Sequence, residues 1–183
     1  MTAHPGAAPR VGILMGSDSD LPAMREAARV LTEFGVPYEI TVASAHRSPS
    51  RVERYVAEAE GRGLQILIAA AGAAAHLAGV LAAHTVLPVI GVPRSASTLG
   101  GLDALLSTVQ MPAGVPVATV GIDNARNAAL LAVQMLGVGD PALRDRYRAY
   151  KQRLAAEVEE KAAKLAASPE VGMVPRRPGQ EQP

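Results

Sequence analysis

The sequence predicts an α/β fold, a three-layer α/β/α sandwich around a five-stranded parallel sheet, followed by one long C-terminal helix. Three observations predict it. Five apolar runs of strand length alternate with segments of helical periodicity. The runs are almost continuously apolar, which is typical of parallel strands buried on both faces. The 183 residues are 49% hydrophobic and 19% charged, enough for one sizeable core.

The elements follow in order, each bounded by turn or capping residues. The strands are predicted at 10–16, 38–44, 64–70, 87–92 and 115–121. The first helix is expected to be capped by Ser19 or Asp20, with Pro22 in its first turn, and the second by Ser48, with Pro49 at its first position. Helices are also predicted after Gly72, at 102–109 and at 122–136. This order is flavodoxin-like.

The stretch from Ile66 to Leu87 has no formal charge and is long enough to span a bilayer. It is rich in Ala and Gly and contains His76 and His84, and Gly72 separates a strand-like part from a helix-like part. A buried strand, a turn and a helix are therefore favoured over a membrane span, and no membrane partner is expected.

The predicted C-terminal helix, 141–167, has one apolar stripe from Leu143 to Leu165. A helix of this length would overhang a small domain, so its far end is expected to pack on another subunit, the alternative being a frayed, solvated end. The predicted organisation is a flexible N-terminus at 1–9, a single catalytic domain at 10–167 and a disordered tail at 168–183.

Composition argues against several classes of partner. The formal net charge is +1 and aromatic residues make up 3%, so neither a basic stripe nor a stacking platform for nucleic acid is present. The chain has no cysteine, which excludes thiolate catalysis and cysteine zinc sites. The first ten residues lack the apolar region of a secretory signal, so a cytoplasmic location is expected.

Loops that leave parallel strands meet at the carboxyl edge of the sheet, where ligands bind. After the first strand, Gly16, Ser17 and Ser19 precede a helix N-terminus, which favours phosphate, although ordinary capping is an equally good interpretation. Asp18 and Asp20 add negative charge and suit sugar hydroxyls or a metal. Together these side chains and an arginine in the next loop would satisfy a phosphorylated sugar.

The second loop, "SAHRSP" (44–49), contains that arginine, Arg47, which offers the planar fork that a phosphate accepts. Beside it stands His46, and imidazole is the side chain that changes charge near neutral pH. The sequence shows no triad order and no HExxH motif, so a single acid/base is the economical role for His46. For His76, which opens the next helix, packing or solvent exposure is a stronger interpretation than catalysis.

Five blocks carry a family resemblance: "MGSDSD" (15–20), "SAHRSP" (44–49), "AAHL" (74–77), "LPVIGVP" (87–93) and "VQMPAGVPVATV" (109–120). In order and spacing they resemble the PurE family, from about Arg10 to Leu165. The branch they resemble is the N5-carboxyaminoimidazole ribonucleotide mutases of de novo purine biosynthesis.

The resemblance implies an octamer that works without metal or organic cofactor and moves a carboxylate from the exocyclic nitrogen to carbon four of an aminoimidazole ribonucleotide. His46 would be the catalytic acid/base, and Ser17, Ser19 and Arg47 would hold the phosphate. Asp20 would bind the ribose hydroxyls, and small residues from Ala70 to Ala75 would shape a closed pocket for carbon dioxide. The full set of expected substrate-binding residues is Gly16, Ser17, Ser19, Asp20, Ser44, Arg47, Ala71, Gly72, Ala75 and His76.

Three positions depart from the family pattern. Ala70 and Ala73 stand where glycine is usual, which would strain the backbone if either site needed a positive φ. Arg94 stands where a small apolar residue is more usual. The block "QMPAGVPV" (110–117) precedes the fifth strand, so it is either a structural turn or a segment that reaches a neighbour's site.

Two other functions remain open at this point. One is the related carboxylase, which uses free carbon dioxide; the "AAHL" block and the absence of a fused synthetase domain favour the mutase. The other is a non-enzymatic flavodoxin-like nucleotide-binding module. One phenylalanine and no tryptophan leave little to sandwich a flavin, which argues against this alternative.

Overall fold

The computed structural model describes residues 8–168 and contains one five-stranded sheet in which every pairing is parallel. The strand order is β2-β1-β3-β4-β5. The predicted N-terminal segment and tail lie, apart from residues 8, 9 and 168, outside the described residues. The strands are β1 (Val11–Met15), β2 (Tyr38–Val42), β3 (Ile66–Gly72), β4 (Val89–Arg94) and β5 (Ala118–Thr119).

Six α-helices alternate with the strands or follow them in the described part of the chain. Together with the parallel sheet they confirm the predicted α/β architecture. Short 3₁₀ turns at Asp18–Asp20 and Glu60–Arg62 precede α1 and follow α2. The helices are α1 (Leu21–Glu33), α2 (Pro49–Ala59), α3 (Leu77–Ala83), α4 (Leu102–Val109), α5 (Ala125–Gly137) and α6 (Pro141–Ala166).

The apolar segment that was long enough for a bilayer forms β3 and α3, as predicted. The first five residues of β3 are buried because helices cover both faces of a central parallel strand. Among residues 8–168, no helix combines the length and the apolar character that a membrane crossing requires.

The fifth strand is much shorter than predicted. It pairs only Ala118 and Thr119 with Ile90 and Gly91 of β4, where the sequence predicted 115–121. Pro116 has no N–H to contribute to a ladder, and an edge strand has one neighbour to hold it. The apolar pattern therefore continues beyond the paired residues.

Two compact units divide the chain, Met1–Arg144 and Asp145–Pro183, with α6 beginning in the first and continuing into the second. The first unit contains the sheet. In the second, Leu154, Val158 and Leu165 are 39%, 60% and 61% exposed. The predicted single domain at 10–167 stays a prediction, as does the packing of this stripe on another subunit.

Candidate functional site

A cavity of about 310 Å³ opens at the carboxyl edge of the sheet, between the ends of β1, β2 and β3. Its size is within the range of small-ligand sites. It brings together all but one of the residues that the sequence predicted for the site. The predicted residues that line it are Gly16, Ser17, Ser19, Asp20, Ser44, His46, Arg47, Ala71, Gly72 and His76.

The loop after β1 presents two hydroxyl groups to the cavity. The Ser19 hydroxyl donates to the Ser17 hydroxyl oxygen at 2.9 Å, and that oxygen also accepts from the Ser19 backbone N–H at 3.3 Å. Ser17 thus caps the 3₁₀ turn before α1. Asp20 occupies the predicted cap position of α1, with Pro22 in the first turn, but its side chain makes no capping hydrogen bond.

Arg47 is held by three contacts, one to the first loop and two within its own loop. Its Nη2 donates to the Gly16 carbonyl oxygen at 2.7 Å, and its Nε and backbone N–H donate to the Ser44 hydroxyl at 3.4 and 3.2 Å. A guanidinium has five N–H donors, so further donors are left for a ligand. The loop after β2 therefore places a cation beside the two serines.

Ser48 stabilises the same loop rather than the helix that follows it. Its hydroxyl donates to the Ser44 carbonyl and accepts from the Ser44 N–H, both at 3.2 Å. Ser48 does occupy the predicted cap position of α2, which begins at Pro49, but its side chain makes no capping hydrogen bond to that helix. The hydroxyl instead holds the loop after β2 together.

His46 and His76 are in direct contact across the cavity. The Nε2 atom of His46 lies 2.9 Å from Nδ1 of His76, and the rings are perpendicular with centroids 4.9 Å apart. His76 is exposed to solvent, one of the two states that the sequence favoured for it, and the structure also places it against the proposed acid/base. Both side chains are exposed to solvent.

The turn after β3 completes the cavity wall with small residues. Ala73 has a φ of +53°, so the position where the family usually has glycine does adopt the left-handed conformation, whereas Ala70 lies in regular β3. Ala75 is 1% exposed and is not part of the cavity lining, which is the one departure from the predicted set. Ala73 and Ala74, which lie in the stretch expected to shape the pocket but outside the predicted binding set, line it as well, and the lining residues that the prediction did not include are Ala45, Leu77 and Ala96.

No local feature of the sequence marks these additional residues as part of a binding site. Their methyl groups and backbone reach the cavity only because the loops converge. Gly72 shows how close the approach is: a Cβ built there would lie 2.7 Å from the Cβ of Ala96, which follows β4. The fourth loop therefore packs directly on the third.

The sequence left open whether Asp18 and Asp20 bind a metal. Within residues 8–168, no group of three or more His, Cys, Asp or Glu side chains is arranged to hold a metal ion. Asp20 is instead paired with Arg94, whose Nε donates to Oδ1 at 3.2 Å.

A family model described as AIR carboxylase matches residues 10–157. The chain belongs to this family. Relatives named "N5-carboxyaminoimidazole ribonucleotide mutase" include one from Pyrococcus horikoshii, 60% identical over 86% of this chain and 89% of its own length. Another, from Thermotoga maritima, is 58% identical over 86% of this chain and 92% of its own length.

A Candida albicans protein named "Phosphoribosylaminoimidazole carboxylase" is 55% identical over 86% of this chain, which matches 28% of that protein's length. Among solved structures, the crystal structure of Treponema denticola PurE has a TM-score of 0.80 at 31% identity, covering 86% of this chain and 98% of that one. The predicted family and fold are thereby confirmed.

Proposed function

We propose that this protein is an N5-carboxyaminoimidazole ribonucleotide mutase, which converts its substrate to 4-carboxy-5-aminoimidazole ribonucleotide in purine biosynthesis. The observation that carries the proposal is one cavity that joins two hydroxyls, a guanidinium and a histidine pair. High identity to relatives named as this mutase, over most of both chains, supports it.

The phosphate end of the substrate would bind where the first two loops meet. The hydroxyls of Ser17 and Ser19 can donate to phosphate oxygens, and Arg47 supplies a compensating positive charge. The bonds from Arg47 to Gly16 and Ser44 hold this charge in place before the ligand arrives. Preorganisation of this kind lowers the conformational cost of binding.

His46 would act as the acid and then as the base. As an imidazolium it protonates the exocyclic nitrogen while the bond from that nitrogen to the carboxylate breaks, which releases carbon dioxide and a neutral amine. Carbon four of the ring then attacks the carbon dioxide and forms a carbon–carbon bond. The proton on carbon four returns to His46, so the enzyme ends in its starting state.

Contact with His76 bears on this proton cycle. In a hydrogen bond between two imidazoles one ring nitrogen donates and the other accepts, so each ring selects the tautomer of its partner. We propose that His76 orients His46 and that the pair separates or exchanges its proton when the substrate binds.

The small residues after β3 would retain the released carbon dioxide. Ala71, Gly72, Ala73 and Ala74 line the cavity, and their backbone N–H groups are the candidate donors for the carboxylate. Methyl groups limit the free volume, and a narrow pocket excludes the water that would carry the gas away.

We also propose that the protein is a homo-oligomer, and an octamer as the family resemblance implies, acting in the cytoplasm. Helix α4 has an exposed apolar face at positions i, i+4 and i+7, where Leu102, Leu106 and Val109 are 53%, 48% and 47% exposed. A contiguous apolar face of this kind is typical of a contact surface. The segment 110–117 follows α4 directly, so the same contact would bring it near a neighbour.

The test offers the purified protein two substrates separately: the N-carboxylated ribonucleotide, and aminoimidazole ribonucleotide with a low concentration of bicarbonate. A mutase converts the first rapidly and the second slowly, and a carboxylase shows the opposite preference. A protein that binds the ribonucleotide without converting either substrate would support a binding module. The carboxylase preference and binding without conversion each overturn the proposal.

A further inference from the structure

Arg94 is the last residue of β4 and stands opposite Gly72 in the register with β3. It therefore lies at the ligand-binding edge of the sheet, beside the cavity wall. A Cβ built on Gly72 would lie 3.5 Å from the Cβ of Arg94, so the two chains pass each other closely. A bulkier residue at position 72 would leave less room for this long side chain.

The guanidinium of Arg94 joins the end of β4 to two loops. Its Nε donates to Oδ1 of Asp20, in the loop after β1, at 3.2 Å. Its Nη1 donates to Oδ1 of Asp123, in the loop after β5. One planar cation thus bridges two carboxylates that come from opposite sides of its own strand, a contact that lysine's single ammonium would not reproduce.

Asp123, which is not among the residues that line the cavity, is itself held in place. It has a φ of +59°, and its carboxylate accepts from both the backbone N–H and the hydroxyl of Ser95. Burial alone would raise the pKa of the Asp123 carboxyl, but the hydrogen bonds from Ser95 and the charge of Arg94 lower that pKa below its usual value. Asp123 is therefore an anionic anchor for Arg94 at neutral pH.

Asp20 is the member of the group that lines the cavity, and its side chain is 8% exposed. A carboxylate this buried requires a partner, and it does not obtain one by capping α1. Arg94, with a side chain 15% exposed, supplies the partner through Oδ1. A carboxylate has a second oxygen, which can accept hydrogen bonds from a ligand's hydroxyl groups.

We propose that Arg94 is a positioning residue, which holds the Asp20 carboxylate at the cavity wall in the orientation that binds the ribose hydroxyls. The proposal rests on the proposed function for the identity of the ligand. Arg94 also offsets the negative charge of Asp20, which would otherwise repel an anionic substrate. Because Arg94 acts through Asp20, its loss has no effect on binding where Asp20 has already lost its charge.

The experiment measures the affinity for 4-carboxy-5-aminoimidazole ribonucleotide by calorimetry, together with KM and kcat, for Arg94→Met, Asp20→Asn and the double variant. The control is Arg29→Met, because Arg29 also contacts two carboxylates, those of Glu26 and Glu33, on α1 outside the cavity. The same affinities are measured for the 2′-deoxy and 3′-deoxy analogues of the ribonucleotide.

We expect Arg94→Met to weaken binding about tenfold or more, the effect of one lost charged hydrogen bond. KM should rise more than kcat falls, and the loss should be under about twofold in the Asp20→Asn background. At least one deoxy analogue should bind the wild type and Arg94→Met with the same affinity, because it lacks a hydroxyl that Asp20 would bind. Arg29→Met should match the wild type.

The inference is overturned if the effects of Arg94→Met and Asp20→Asn on affinity are independent and multiply in the double variant. It is also overturned if Arg94→Met weakens the binding of both deoxy analogues as much as it weakens the binding of the ribonucleotide. If Arg94→Met does not fold, Asp123→Asn loosens the same arginine and should weaken binding several-fold, again only when Asp20 is present. The inference is also overturned if Asp123→Asn leaves the affinity unchanged. If the wild type converts the ribonucleotide and the variants bind it equally well, only the role of Arg94 is refuted. If the wild type neither binds nor converts the ribonucleotide, the proposed function is refuted first and this inference with it.

Discussion

The Nε2 atom of His46 lies 2.9 Å from the Nδ1 atom of His76, although 30 positions separate the two residues in the chain. His46 belongs to the loop after β2, and His76 follows β3 at the start of α3. In the sheet β1 lies between β2 and β3, so the two loops meet above the end of β1. The candidate acid/base is therefore already paired in the free protein.

His46→Asn should abolish turnover and leave ribonucleotide affinity within about tenfold of the wild type, because asparagine keeps a hydrogen bond but cannot carry a proton through the cycle. The checks are steady-state kinetics and calorimetry. His84→Asn is the matched control, since His84 is an exposed histidine at the end of α3 outside the cavity lining. Near-normal turnover of His46→Asn would remove it from the mechanism.

His76→Gln should lower kcat about tenfold to hundredfold with little change in KM, the effect of one hydrogen bond of about 1.5 to 3 kcal/mol to a group that becomes charged. The pH profile of kcat should also move, because the tautomer and proton of His46 lose their partner. An unchanged profile together with an unchanged kcat would show that the pair has no part in the reaction.

Arg47→Ala should weaken binding by about 2 to 5 kcal/mol, a cost typical of removing the partner of a bound charge. The ribonucleoside without its phosphate should lose far less affinity, and that difference between the two ligands is the decisive measurement. Arg51→Ala is the control, since Arg51 donates instead to the Val42 carbonyl and the Thr41 hydroxyl. Equal losses for both ligands would contradict phosphate binding by Arg47.

Ala73→Gly and Ala70→Gly restore the usual family residue at two neighbouring positions, and they should have opposite effects on the free energy of unfolding. Ala73 has a φ of +53°, so glycine relieves a strain of about 1 to 2 kcal/mol and gives a net stabilisation after its own entropic cost. Ala70 is fully buried in β3, where glycine should destabilise by about 1 kcal/mol. Urea unfolding of both variants is the measurement, and effects of the same sign would contradict the backbone argument.

Removing residues 154–183 should lower the oligomer size, because the truncation deletes the exposed apolar positions Leu154, Val158 and Leu165. Removing residues 169–183 alone should change neither size nor activity. Light scattering and the activity assay check both truncations. A small, fully active species from the longer deletion would show that each subunit carries its site alone.

The sequence by itself determined the α/β architecture, because an apolar run that is buried on both faces differs in period from an amphipathic helix. It also predicted the loops of the site, since parallel strands direct their carboxyl ends to one edge. It overestimated β5, because an apolar pattern does not reveal a pairing partner. It placed Asp20 and Ser48 correctly at the caps of α1 and α2, but it did not show that neither side chain bonds the helix, because a short polar side chain can bind other partners as readily.

Tertiary structure alone decided which of the candidate side chains touch. The sequence gives no distance between His46 and His76, and it gives no reason for Arg94 to reach both Asp20, after β1, and Asp123, after β5. The strain at Ala73 likewise depends on the backbone of a turn that β3 and α3 hold in place. Such contacts follow from the order of strands in the sheet, which brings residues 29 to 74 positions apart into hydrogen-bond range, and local periodicity contains no information about that order.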